Sequence, residues 1–299
     1  MTFGLSNFGS PLESNICYVN AILQLLHSVA MIRNLVKKKG YKAHPGSVTP
    51  VLDEISRIFN YEGPVTSAGP LRQLLGAKEG LSYVMRGEQE DAALFLRHLL
   101  EENQKEVDPK TKLDELIKMS IIHQSSFNSP DGSCSNCGYI PQPRETNHNV
   151  FVLQETPDST SLQDMIEYYF KDQEFEFRCG NDGNCREADL KIQRHGVMRQ
   201  IVTEIPEILL LQVPKTAEAK AFDGLFYVEN VKFEIVGVVD HDGLSVNQGH
   251  YIAWSKLQSQ WYRCDDKTVE PDLKDVHFSS NNYIFVGIRC DELDEDKER

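Results

Sequence analysis

Positive charge is what this 299-residue chain is short of: 31 lysines and arginines stand against 45 aspartates and glutamates, for a formal net charge of −14. That balance speaks against a nucleic-acid binder, whose footprint is basic, and favours a partner that presents positive charge at long range. Apolar runs are short as well. None approaches the roughly 18 residues of a membrane-spanning helix, so no membrane role is expected. The start, "MTFGLSNFGS", lacks both the basic stretch and the apolar core of a secretory signal. Internal repeats and low-complexity tracts are missing, and the seven cysteines are an odd number. With no export signal, that count points to a reducing compartment, cytoplasmic and/or nuclear, where thiols are free, metal-bound or catalytic.

What is present belongs to a folded protein: 40% hydrophobic and 25% charged residues. The first third reads helical. From Cys17, the apolar Val19, Leu23, Leu26 and Ala30 recur at helical intervals. In "EQEDAALFLRHLLEEN", Ala92, Phe95, Leu96, Leu99 and Leu100 line one helix face. Leu94 falls about 200° away from Ala92, among Glu90, Arg97 and Glu101 on the polar side. The middle, about 120–200, alternates short strand-like pieces ("IIHQSSF", "HNVFVLQ", "EFEFRC") with Gly, Asn and Pro turns. The last third is strand-rich, with "EILLLQV", "VKFEIVGVV", "HYIAWSK", "QWYRC" and "NYIFVGIR". A helical lobe, a cysteine-bearing β insertion and a β lobe make an α+β chain.

Four of the cysteines cluster in the middle. Cys134 and Cys137 form a C-x2-C knuckle followed by Gly138, and Cys179 and Cys185 form a second pair in "CGNDGNC". Two such pairs on hairpin turns fit a closed, four-cysteine structural zinc site. The metal would replace the core that short β-hairpins cannot build alone.

Cys17 stands where a loop becomes a helix, and a helix N-terminus favours the thiolate that acts as nucleophile. Such a cysteine needs an imidazole to take and return a proton, and a third group to hold that imidazole. His250, in "NQGHYIAWSK", opens an alternating strand. Fifteen residues on, "WYRCDD" offers Asp265, within reach of His250 across a hairpin of that length.

These stretches resemble the ubiquitin-specific proteases. "GLSNFG…NICYVNAILQLL" is similar to the family's cysteine box and "GHYIAW…WYRCDD" to its histidine box. "EQEDAALFLRHLL" is similar to its Gln-x-Asp-x-x-Glu-Phe-Leu helix, "YIFVGIR" to its closing strand, and the C-x2-C…C-x5-C pattern falls at its zinc-bearing fingers. Order and spacing agree over nearly the whole chain. The resemblance implies a right-hand fold in one catalytic domain, with a thumb over about 1–118, fingers over about 119–200 and a palm over about 201–299. It implies hydrolysis of the isopeptide bond after ubiquitin's C-terminal glycine, without a catalytic cofactor. Cys17 would be the nucleophile, His250 the general base and acid, and Asp265 the residue that orients it, with Asp266 auxiliary. Gly249 and Tyr251 would line the channel for the glycine tail, and Asp91 would contact ubiquitin's arginine-bearing tail. Ubiquitin or ubiquitinated proteins would be the partners, with an activating protein as a further one.

Two departures stand out. The family pattern Asn-x-Gly-x-x-Cys places an oxyanion-donating asparagine just before the nucleophile. Here Asn7-Phe8-Gly9 is followed by "SPLESNI", so that Asn7 lies ten residues ahead of Cys17. Either the insertion loops out and Asn7 still reaches the oxyanion, or Asn15 or the Cys17 backbone N–H substitutes. Leu94, where the family has glutamate, removes one acidic contact to the tail. Two alternatives therefore accompany the deubiquitinase reading: a catalytically impaired or partner-activated ubiquitin-binding module, and a protease for a ubiquitin-like modifier.

Overall fold

The computed structural model describes residues 2–7, 12–44, 48–108, 116–154, 161–177, 179, 194–214, 224–272 and 281–290. Six α-helices, a short 3-10 helix (Ser82–Met85) and fourteen strands form among these described residues, and they give the α+β architecture that the sequence implies.

Helix α1 (Cys17–Ser28) is buried along its whole length. The surrounding helices are α2 (Ala30–Lys37), α3 (Pro50–Phe59), α4 (Gly69–Gly76) and α5 (Ala92–Glu106). A helix enclosed on every side must satisfy its polar side chains internally. Asn20 and Gln24, one turn apart, do this with the backbone of the N-terminal segment. Gln24 Nε2 donates to Phe3 O at 2.6 Å, and Asn20 Nδ2 to Ser6 O at 3.2 Å. His27, on the same side, lies edge-on between the rings of Phe3 and Phe59. Burial pushes its imidazole down to about 3, so it stays neutral. The segment stitched down in this way forms β1 (Gly4–Leu5), which pairs in parallel with β2 (Val65–Thr66).

The large sheet runs β13-β12-β11-β10-β14-β8-β5, with β9 alongside β10. Its strands are β5 (Phe151–Val152), β8 (Ile208–Gln212), β9 (Leu225–Val228), β10 (Val231–Ser245), β11 (Gln248–Leu257), β12 (Gln260–Asp265), β13 (Thr268–Pro271) and β14 (Asn282–Arg289). The uninterrupted apolar runs of β8 and β14 reflect burial on both faces. Ile208, Leu210, Ile284 and Val286 join the core around α1 and α5. Leu209, Leu211 and Phe285 point the other way, into a second core with Phe151, Phe226 and Phe233. Helix α6 (Leu162–Phe170), opened by a Ser161–Asp164 capping box, closes that second core.

A separate four-stranded sheet, β4-β3-β7-β6, is built from β3 (Met119–Phe127), β4 (Arg144–His148), β6 (Gln173–Phe177) and β7 (Arg194–Glu204). The piece "HNVFVLQ" is divided between the two sheets. His148 ends β4, and Phe151 begins β5 in the large sheet, where its ring packs on Tyr169 and Phe170. No single described helix is long and apolar enough to cross a membrane, and the consecutive α1 and α2 meet at an angle of 98°.

Candidate active site

Three backbone features converge on one point. Helix α1 begins at Cys17, after Ile16 in the N-cap position. Strand β11 carries His250 two residues from its start, and Asp265 ends β12. A two-residue turn, Asp266–Lys267, then leads into β13, with Asp265 facing Thr268 across the ladder. Asp266 takes a left-handed φ of 48° in that turn, a conformation aspartate tolerates well. The N-terminal segment ties this turn to α1. Leu5 N–H donates to Asp266 O at 2.8 Å, and a Cβ at Gly4 would lie 2.2 Å from Lys267 O, a space only glycine leaves free.

His250 Nε2 meets Asp265 Oδ1 at 2.7 Å, leaving Nδ1 for the Cys17 thiol. The hydrogen bond with Cys17 raises the His250 pKa, burial opposes the rise, and Asp265 adds to it, leaving the imidazole at about 9. Burial pushes Asp265 upward, but the bond and charge of His250 and the Arg263 guanidinium outweigh it and keep the carboxyl below its usual value. Arg263 Nη2 donates to Asp265 Oδ2 at 2.8 Å, so both carboxylate oxygens are held. Cys17 is 3% exposed and stands ready beneath the surface.

Asp266 has a different environment. Burial raises its pKa, against hydrogen bonds from Asn20 and Asn7. Asn7 Nδ2 and Asn20 Nδ2 donate to its two oxygens at 2.7 Å each, and His250 Nε2 is 4.0 Å away. Asn7 also accepts the Ile16 N–H on Oδ1 at 2.8 Å, so its carboxamide bridges the start of α1 and the Asp266 carboxylate. Asn15, with a left-handed φ of 52°, turns outward to Gly87 O at 2.8 Å. Phe8 to Pro11 lie outside the described residues, but the remainder of the insertion is docked. Buried Arg72 of α4 donates to Leu12 O at 3.2 Å, to Ser14 O at 2.7 Å and to Val84 O.

Of the residues assigned to the tail, Asp91 caps α5. Its Oδ1 accepts from Ala93 N–H at 2.8 Å and from the Tyr283 hydroxyl at 2.9 Å. Leu94 is half-buried on α5, on the side of Arg97. Gly249 is exposed, whereas Tyr251 is 1% exposed, stacked on His241 with its hydroxyl donating to Val246 O. Tyr251, Ala253 and Ser255 point toward α1, and Gly249, on the same face two residues earlier, lies at the exposed start of the strand.

Sequence reasoning gave no role to Asn20, Arg72, Arg263 or Gln89, the last of which opens the Gln-x-Asp motif. Asn20 sits one turn from Cys17, so helical spacing was the available signal. Gln89 reaches both Cys17 and Gly249, and nothing local announces that.

In the four-stranded sheet, the sulfurs of Cys134, Cys137 and Cys179 lie within 4.8 Å of one another. Cys137 Sγ and Cys179 Sγ are 3.6 Å apart, near the roughly 3.8 Å edge of a tetrahedron with metal–sulfur bonds of about 2.3 Å. Burial works against a Cys134 thiolate, but the N–H groups of Asn136 and Cys137 and the two neighbouring thiols bring it down to about 7. These three cysteines form a cluster able to hold a metal. Cys185 lies outside the described residues.

The family model described as ubiquitin carboxyl-terminal hydrolase matches residues 3–286. Ubiquitin carboxyl-terminal hydrolase 36 of Drosophila sechellia is 24% identical over 94% of this chain and 27% of its own length. The probable ubiquitin carboxyl-terminal hydrolase 8 of Schizosaccharomyces pombe is 22% identical over 94% of this chain and 63% of its own length. The chain thus spans less than two thirds of either relative. Among solved structures, a chain of the SAGA Ubp8/Sgf11/Sus1/Sgf73 DUB module bound to ubiquitin aldehyde shares the fold. It superimposes with a TM-score of 0.71 at 17% identity, covering 97% of this chain and 70% of that one. The match takes in the N-terminal staple, the loop that delivers Cys17, the β11–β12 hairpin and most of β14, and by it this chain belongs to the ubiquitin carboxyl-terminal hydrolase family, among the ubiquitin-specific proteases.

Proposed function

We propose that this chain is a thiol-dependent deubiquitinase that hydrolyses the isopeptide bond after the C-terminal glycine of ubiquitin. The observation that carries the reading is His250 held between the Cys17 thiol and the Asp265 carboxylate, at a helix N-terminus, in a chain that matches the family nearly end to end. His250 takes the Cys17 thiol proton as Sγ forms a bond to the glycine carbonyl carbon, and the π pair moves onto oxygen. Collapse of that intermediate expels the lysine amine, which takes the proton from His250. Water then attacks the thioester with His250 as base, releasing the ubiquitin carboxylate and restoring the thiol.

In this reading α1–α5 form the thumb, the four-stranded sheet the fingers and the large sheet the palm. Asp91 keeps Oδ2 out of its two capping bonds, which suits a contact with the basic tail. Gly249 edges the channel and Tyr251 supports it from beneath. The acidic chain, at −14, favours a basic partner surface. We assign zinc to Cys134, Cys137 and Cys179, with Cys185 as fourth ligand, in a structural role that stiffens the fingers. The similar Ubp8 chain is assembled with Sgf11, Sus1 and Sgf73, which supports a protein partner here too. A reducing compartment, cytoplasm or nucleus, suits these free thiols.

The test is incubation with ubiquitin bearing an electrophilic C-terminus, followed by mapping of the adduct, with Cys17→Ala as control. A single adduct on Cys17 is expected. Ubiquitin bound without an adduct would make the chain a binding module.

A further inference from the structure

Attack by Cys17 leaves an oxyanion beside Sγ, and stabilising it takes donors about 2.7–3.1 Å from where that oxygen will sit. The Cys17 N–H, at the first position of α1, has no acceptor within the helix and supplies one. The second must come from a side chain. Asn7, to which the family resemblance gives this duty, accepts Ile16 N–H on Oδ1 and donates one Nδ2 hydrogen to Asp266, which leaves it a second hydrogen. Asn15 faces Gly87 O.

Gln89 lies two residues before the cap of α5. Its Oε1 accepts the Gly249 N–H at 2.7 Å, and its Nε2 stands 3.9 Å from Cys17 Sγ. The amide orientation follows from chemistry, because reversing it would set an NH2 against an N–H donor. The gap between nitrogen and sulfur admits an oxygen within about 3 Å of each. Gly249 has a φ of 138°, and a Cβ there would lie 2.1 Å from Asp242 O, so only glycine presents its N–H at this point. That N–H also polarises the Gln89 amide and makes its NH2 a better donor.

We infer that Gln89 is a catalytic residue, a side-chain donor to the oxyanion. The inference rests on the deubiquitinase reading. Gln89 and the Cys17 N–H hydrogen-bond the oxygen that receives the π pair; neither gives up its proton, and the pair returns to carbon as the amine leaves.

The test compares wild type, Gln89→Ala and Gln89→Glu on two substrates. One is ubiquitin with a fluorogenic C-terminal amide, which reacts through the oxyanion. The other is ubiquitin ending in a bromoethylamide, where the thiolate displaces bromide directly and no oxyanion forms. Gln89→Ala should lose about 100- to 1,000-fold in kcat with KM changed less than about threefold, while Cys17 alkylation stays within about threefold of wild type. Gln89→Glu keeps an acceptor for Gly249 N–H but offers no donor at neutral pH, so its kcat should fall as far. A purely structural Gln89 would leave Gln89→Glu near wild type, or would lower alkylation and turnover of Gln89→Ala together. Either result overturns the assignment, as does a kcat loss below about tenfold. A wild type that neither cleaves the amide nor is alkylated on Cys17 overturns the deubiquitinase reading, and the assignment with it.

Discussion

The hydrogen bond with Cys17 and the one from His250 to Asp265 both favour a protonated imidazole, against a burial that opposes it, and His250 keeps its proton to about pH 9. The leaving amine needs that proton, so kcat/KM should fall on the alkaline side near pH 9. Asp265 raises the His250 pKa, so Asp265→Asn must lower it and move the alkaline limb of the pH–rate profile toward neutrality. A limb that stays at its wild-type pH would show that Asp265 does not hold the proton. Leu94 calls for a gain of function. It is half-buried on α5, beside Arg97, which already donates to Gln212 Oε1 at 2.7 Å. Under the proposed function, Leu94→Glu supplies a carboxylate toward a basic ubiquitin tail. An exposed ion pair contributes about 0.2–1 kcal/mol, so kcat/KM should rise about 1.5- to 5-fold at low salt and lose that gain at high salt. An unchanged value at low salt would place Leu94 off the contact surface.

At the scale of elements, α1 is held at its N-terminus by groups from four directions. Asn7 accepts the Ile16 N–H, Asn20 reaches Asp266, the β1 segment lies along its polar row, and Arg72 of α4 grips the carbonyls of Leu12 and Ser14. Arg72 is 1% exposed and its bond to Val84 O is buried, so that carbonyl and the emptied guanidinium site have little water to turn to if it is removed, whereas Leu12 O and Ser14 O are only part-buried. Each buried group left unpaired costs about 1–3 kcal/mol. Arg72→Met should therefore lower the melting temperature by several degrees. It should also speed hydrogen exchange at residues 14–16 and slow adduct formation at Cys17. If exchange there stays at wild-type rates, the clamp does not order the Cys17 loop. The described part of the insertion, Leu12 to Asn15, is on this account anchored against α4.

At the scale of the molecule, the large sheet carries two cores back to back, and among the described residues the four-stranded sheet has a small local cluster of Phe127, Tyr139 and its cysteines. So small a core needs a cross-link. Cys137→Ser, or metal removal by a strong chelator, should lower the melting temperature, whereas an identical transition in fully stripped protein would refute the zinc assignment. Much of this was legible in the chain itself. Helices α1 and α5, strands β8, β10, β11 and β14, and the α+β class follow from apolar periodicity, which is a local property. The tight β11–β12 hairpin made the meeting of His250 and Asp265 readable from a separation of 15 residues. Periodicity could not show that "HNVFVLQ" divides between two sheets, because a short apolar run fits either core. Nor could it show that Tyr251 lies beneath the surface rather than on it. Asn7 meets Asp266 across 259 positions, Gln89 meets Gly249 across 160, and Arg72 meets Ser14 across 58. The sequence alone determined which side chains were available for the chemistry and which elements carried them. Only the tertiary structure decided which amide faces the sulfur, because hydrogen bonds between distant segments depend on packing that no local pattern encodes.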